Sequence, residues 1–151
     1  IGGMMIFWLV MLGCAEERIP DAIWDVEVTG LETTCIDSLE GYQEKFRYEA
    51  YFEGSKVQLD INGETFATGQ RRGCIMDYTS ATYLEDGEGG AIRWNIEGVA
   101  ESQTDAGGCP DIPDGKDWVG TETLVVVDSD NEGIEAGCTY SMEVSGTFVS
   151  Q

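Results

Sequence analysis

Apolar and polar residues alternate along most of this chain. In 23–29, IWDVEVT, Trp24, Val26 and Val28 share one face and Asp25 and Glu27 the other; in 45–52, KFRYEAYF, Phe46, Tyr48, Ala50 and Phe52 oppose Lys45, Arg47 and Glu49. A period of two sends successive side chains to opposite faces of an extended backbone, so both segments predict half-buried strands. Glu53-Gly54-Ser55 then turns the chain into 56–61, KVQLDI, and Asn62-Gly63 turns it into 64–69, ETFATG. Asn-Gly between two such runs suits a tight hairpin, because both residues tolerate left-handed backbone. Further strands are predicted at 74–85, at 91–100 with Ile92, Trp94 and Ile96 on one face, at 117–127 and at 138–149. No segment has a helical period and no internal repeat occurs, so an all-β fold is expected.

The N-terminus breaks the alternation with a continuous apolar run, Met4 to Leu12, followed by Gly13, Cys14 and acid. Residues 1–13 as a helix would reach only about 20 Å against a hydrocarbon core of about 30 Å, too short to span a bilayer. The run fits the apolar region of an export signal. Its end, Met11-Leu12-Gly13-Cys14, resembles the lipobox of bacterial lipoproteins, with Met11 where that family usually has Leu. The resemblance implies cleavage before Cys14, lipidation of its thiol and acylation of the new amino group. Ala15 rather than Asp after the cysteine implies sorting to the outer membrane. Several acyl chains, each buried CH₂ contributing about 0.8 kcal/mol, hold a protein where one chain binds only marginally. The implied organisation is a signal peptide at 1–13, lipidated cysteine and tether at 14–22, and a single β domain at 23–151. A cleaved signal without lipid, or a soluble protein with an apolar N-terminus, is the alternative.

Setting Cys14 apart leaves Cys35, Cys74, Cys109 and Cys138, an even number that suggests two disulfides in an exported chain. A zinc site is the rival, but no CxxC pair and no histidine occur. If 74–85 is one strand there are eight, joined largely by short connections. An eight-stranded antiparallel up-and-down meander closes into a barrel with its first and last strands antiparallel. A break at Thr79-Ser80 would give nine and make the terminal strands parallel on simple closure. With the end of the first strand at the top, the eight-strand count places Cys35 and Cys138 at the top and Cys74 and Cys109 at the bottom. Cys35–Cys138 and Cys74–Cys109 are therefore the expected bridges. A Greek-key β-sandwich is the alternative fold.

The strand count, with Trp24 in the first strand, resembles lipocalins, some of which are bacterial lipoproteins; Ala22 stands where the lipocalin motif has glycine. The resemblance implies a lipocalin-like barrel and, as an alternative function, carriage of a small apolar ligand. Trp24, Phe46, Tyr48, Phe52, Phe66, Trp94, Tyr140, Met142 and Phe148 compete for an interior that eight strands leave only just wide enough to fill or to hold one small ligand. A filled core is expected, and a small apolar pocket at one mouth is the alternative.

Charge narrows the partners. The 29 Asp and Glu and 8 Lys and Arg all follow Cys14, giving a formal charge of −21, and so acidic a body repels nucleic acid and anionic surfaces. With 42% apolar residues and four tryptophans, the composition nonetheless suits a packed domain. Asp128, Asp130 and Glu132 alternate before Gly133, partly resembling the first half of an EF-hand calcium loop, although its twelfth position is Thr139. A solvated acidic turn is favoured over a weak Ca²⁺ site. Without histidine there is no Ser-His-Asp or Cys-His arrangement, and no glycine-rich loop cradles a nucleotide. No catalytic residue and no cofactor is therefore nominated. The expected protein is a monomeric, non-catalytic binding or structural module on the bacterial envelope, lipid-anchored in the outer membrane, with loops 101–116 and 128–137 as its contact surface; a weak calcium-binding adhesion module is a further alternative.

Overall fold

The computed structural model describes residues 18–35, 39–87, 89–102 and 116–150. The alternating segments form β1 (Ala22–Thr33), β2 (Gln43–Glu53), β3 (Lys56–Ile61), β4 (Glu64–Arg72), β5 (Ile75–Ser80), β6 (Tyr83–Gly87), β7 (Gly90–Ser102), β8 (Trp118–Ser129) and β9 (Thr139–Ser150). No helix occurs among the described residues. Every pairing is antiparallel, between neighbours in the chain except where β5 also pairs with β7 and β9 returns to β1. The result is a closed eight-stranded barrel of up-and-down order with one strand divided, as a lipocalin-like barrel requires and a Greek-key sandwich does not.

The division falls inside the expected strand 74–85. Ser80 causes it locally: its Oγ accepts the N–H of Ile96 at 2.7 Å and donates to the carbonyl of Ala81 at 2.8 Å. A side chain thus takes a backbone bond that would otherwise belong to the ladder. Beyond Ser80 the chain resumes as β6 in the same direction, so both pieces lie antiparallel to β7, from Ile75↔Glu101 to Thr79↔Glu97 and from Tyr83↔Trp94 to Gly87↔Gly90. Because the direction is kept, the break leaves the terminal strands antiparallel, paired from Ile23↔Ser150 to Thr33↔Tyr140. The Asn62-Gly63 turn has both residues at left-handed φ, 54° and 81°, the backbone that its dipeptide favours.

Cys35 and Cys138 are bonded, with Cα atoms 5.1 Å apart and 103 residues of separation. They flank the top of the β1–β9 seam, where Thr34 N–H also donates to Thr139 at 2.9 Å. Cys74 is disulfide-bonded as well; Cys109, its expected partner, and Cys14 lie outside the described residues.

The inward rows supply a core of large side chains. Trp24, Trp118, Tyr48, Tyr78, Leu59 and Met76 are fully buried, and Phe46, Phe52, Phe66 and Phe148 pack partly buried against them. Trp24 meets Trp118 edge-on at 6.0 Å, Tyr48 meets Phe66 at 4.8 Å, and Phe66 meets Tyr78 edge-on at 6.3 Å. Of the expected interior residues, Met142 is buried while Trp94 and Tyr140 are half-buried. Two glycines make the room: a Cβ on Gly98 would lie 2.2 Å from the Tyr78 ring, and one on Gly146 would lie 2.3 Å from the Trp118 indole.

Two stability measurements check this account. Gly146→Ala should lower unfolding stability by about 1–3 kcal/mol, because the methyl group displaces Trp118 from a packed core. Replacing Cys35 and Cys138 together by Ser should cost about 2–4 kcal/mol through the freed unfolded chain. Denaturant melts unchanged by the first would contradict the packing at Trp118; unchanged by the second, the role of the bridge.

Candidate functional site

The inward row of β8 runs Trp118, Gly120, Glu122, Leu124 and Val126, and it places one carboxyl group in a lumen lined mainly by apolar and aromatic side chains. Glu122 is 3% exposed. Its Oε2 accepts hydrogen bonds from the Tyr48 hydroxyl at 2.6 Å and the Tyr78 hydroxyl at 2.5 Å. Tyr48 belongs to β2 and Tyr78 to β5, neither of which pairs with β8, so the bonds cross the lumen rather than follow the sheet. Buried polar groups left without such partners cost the full desolvation of each atom, which is why the three residues act as one unit.

Burial pushes the Glu122 carboxyl above its ordinary value of 4.5, and the two phenol bonds pull in the opposite direction without cancelling it. Burial also drives the Tyr48 and Tyr78 hydroxyls well above their ordinary 10.0, with the Glu122 charge adding to the effect. Both phenols therefore stay protonated donors. Tyr42, at the upper mouth, is raised chiefly by burial and next by Glu44. The triad links distant walls of the barrel and offers no solvent-facing acid, base or nucleophile.

Other buried atoms are less well served. Trp24 Nε1 donates to the Lys116 carbonyl at 2.9 Å, but Trp94 Nε1, Asn95 Oδ1, Ser102 Oγ and Trp118 Nε1 have no hydrogen-bond partner among the described residues. On the outside lie open grooves: one of about 370 Å³ between Arg18, Tyr51, Lys56 and Gln58, and another of about 370 Å³ between Thr65, Phe66, Thr79 and Ala81.

The residues nominated for calcium are not brought together. Asp128 pairs with Arg93 across the barrel's outer face at 3.1 Å, the Asp130 N–H donates to the Ala91 carbonyl at 2.8 Å, and Glu132 is exposed. The turn owes its shape to its neutral residues: Asn131 N–H donates to Ser129 Oγ at 3.0 Å, and Gly133 N–H to Asn131 Oδ1 at 2.8 Å. Among the described residues no three Asp, Glu or Cys side chains form a group that could hold a metal ion. Of the nominated contact loops, residues 103–115 lie outside the described residues. Glu122, absent from the sequence-based candidates, is the polar centre that the fold reveals. Comparison with protein-family models, curated proteins and solved structures finds no match.

The raised carboxyl carries a pH signature. The folded chain retains a proton on Glu122 above the pH at which the unfolded chain has released it, so stability declines as pH rises through that window and returns on acidification. Glu122→Gln accepts the same phenol bonds but does not titrate. The stability of the wild type relative to this variant should therefore improve as pH falls from 7 towards the ordinary carboxyl value of 4.5, measured by urea melts; a pH-independent difference would contradict the assignment. Glu122→Leu should be worse than Glu122→Gln, by about 1–3 kcal/mol for each phenol left unsatisfied.

Proposed function

We propose that this chain is a non-catalytic binding module of the bacterial envelope, held at the outer membrane by lipid on Cys14 and meeting its partner with the outside of a filled barrel. The packed lumen carries the reading. A carrier of a drug-sized apolar ligand needs an interior space of about 300 Å³ or more, whereas Trp24, Trp118, Tyr48, Tyr78, Phe66 and Glu122 share the lumen here. Recognition then falls to the outer strands, the rims and the turns, and the buried carboxyl serves the scaffold.

Two further observations support the address. β1 begins at Ala22, eight residues beyond Cys14, and so short a tether extends at most about 29 Å. The Cys35–Cys138 bridge suits an oxidising, extracytoplasmic compartment. The high acidic charge favours a soluble, monomeric domain above the bilayer.

Intact mass of the chain produced in a bacterial host tests the anchor. The expected product begins at Cys14, carries acyl groups and holds two disulfides, while Cys14→Ser yields an unacylated protein that leaves the detergent phase. A mature wild-type chain with an unmodified Cys14 would refute the proposal.

A further inference from the structure

Closing a barrel removes sheet edges, yet this one keeps an edge where its fifth wall divides. The β4–β5 ladder ends at Ala67↔Ser80, and above it the walls part. Among the described residues Glu64 and Thr65 of β4 pair only with β3, and β6 pairs only with β7. Adjacent paired strands lie about 4.8 Å apart. Here no ladder bond joins β4 to β6, and a tyrosine side chain spans the gap instead, with the Tyr83 hydroxyl donating to the Phe66 carbonyl at 3.3 Å. The groove of about 370 Å³ lined by Thr65, Phe66, Thr79, Ser80 and Ala81 marks the foot of this slit. Beside it Trp94, tilted against Tyr83 with ring centroids 4.9 Å apart, keeps a buried Nε1 without a partner among the described residues.

The chemistry of the edge selects its occupant. Leu84 is 56% exposed, and Glu64, Glu85 and Asp86 around it are exposed, with no ion-pair partner among the described residues. Arg93, across the ladder from Leu84, is committed to Asp128 at 3.1 Å. A second copy of this chain laid antiparallel on β6 would set Glu85 and Asp86 against their own kind, and like charges opposed across a ladder are destabilising. Acidic residues on an exposed edge discourage pairing with itself in this way. A strand bearing lysine or arginine meets the opposite condition. It gains ladder bonds along β6 and, with its cationic side chains on the Glu85 face, a cross-strand ion pair with Glu85 and apolar contact with Leu84 on the other face.

We propose that β6 is a docking edge that accepts an extended, cationic segment of a partner protein as an added antiparallel strand. The proposal names the partner class of the binding module above. It rests on that reading, but not on the lipid anchor, which the mass of Cys14 tests separately.

The probe is an acetylated seven-residue peptide of alternating lysine and valine, titrated into the full chain at physiological salt. Its controls are the same peptide with glutamate for lysine and the same peptide with proline for its two central valines, which keeps the charge and removes ladder donors. The lysine peptide should bind and slow amide exchange at residues 83–87, and both controls should fail. Glu85→Lys combined with Asp86→Lys, at exposed positions that leave the core intact, should weaken the lysine peptide about tenfold and admit the glutamate peptide. Equal binding of the proline peptide would reduce the effect to diffuse attraction by an acidic protein and overturn the proposal. Protection located away from β6, or no binding, would overturn it as well.

Discussion

Eight antiparallel strands closed into a ring leave an interior of nearly fixed width, and filling it without overlap is the constraint on which the rest depends. This chain meets it by pairing the largest inward side chains with absent ones. The Trp118 indole lies over Gly146 and the Tyr78 ring over Gly98, each where a Cβ would stand within 2.3 Å. Trp24 and Tyr48 then pack against Trp118. The same constraint underlies the proposed function, in which a lumen occupied by the chain's own aromatic rings leaves recognition to the exterior.

Glu122 belongs to that packing problem. A carboxyl group among aromatic rings is a burden unless its lone pairs are met, and the hydroxyls of Tyr48 and Tyr78 meet them from opposite walls. Because both bonds cross the lumen, they also set how far β2 and β5 stand from β8. Outside, the charge balance is reversed in meaning. A net −21 repels itself, while the Cys35–Cys138 bridge limits how far the chain opens at the seam where its ends meet.

Much of the fold was legible in the alternation, because half-buried strands advertise their inner face. The run 56–61 coincides with β3, and the turn at Asn62-Gly63 stands where its dipeptide placed it. The first strand reaches four residues further than the pattern 23–29, to Thr33, since 30–32 lose the inward apolar signal while Gly30 and Glu32 keep the ladder with β9 around a bulge at Leu31. A break at Thr79-Ser80 was open to the sequence, but Ser, Ala and Thr also fit an alternating strand; the serine's choice of the Ile96 N–H, and the unchanged chain direction beyond it that keeps the terminal strands antiparallel, are tertiary facts. Glu122 was hidden for another reason. In WVGTETLVVV both parities hold apolar residues, Trp118, Leu124 and Val126 on one and Val119, Val125 and Val127 on the other. Nothing local says which row faces inward, and a glutamate is assigned to solvent by default. At the acidic turn 128–133 the ligand-like spacing is real, while Arg93 takes Asp128 and the backbone shape comes from Ser129 and Asn131.

Titration of the purified domain with an uncharged hydrophobic fluorophore, following both probe emission and tryptophan fluorescence, tests the filled barrel most directly. A lumen packed by Trp24, Trp118, Tyr48 and Tyr78 around Glu122 predicts no saturable uptake and no quenching of the buried tryptophans. Stoichiometric binding that quenches them, and that Gly146→Ala or Gly98→Ala weakens, would show a ligand cavity inside the barrel and contradict the account.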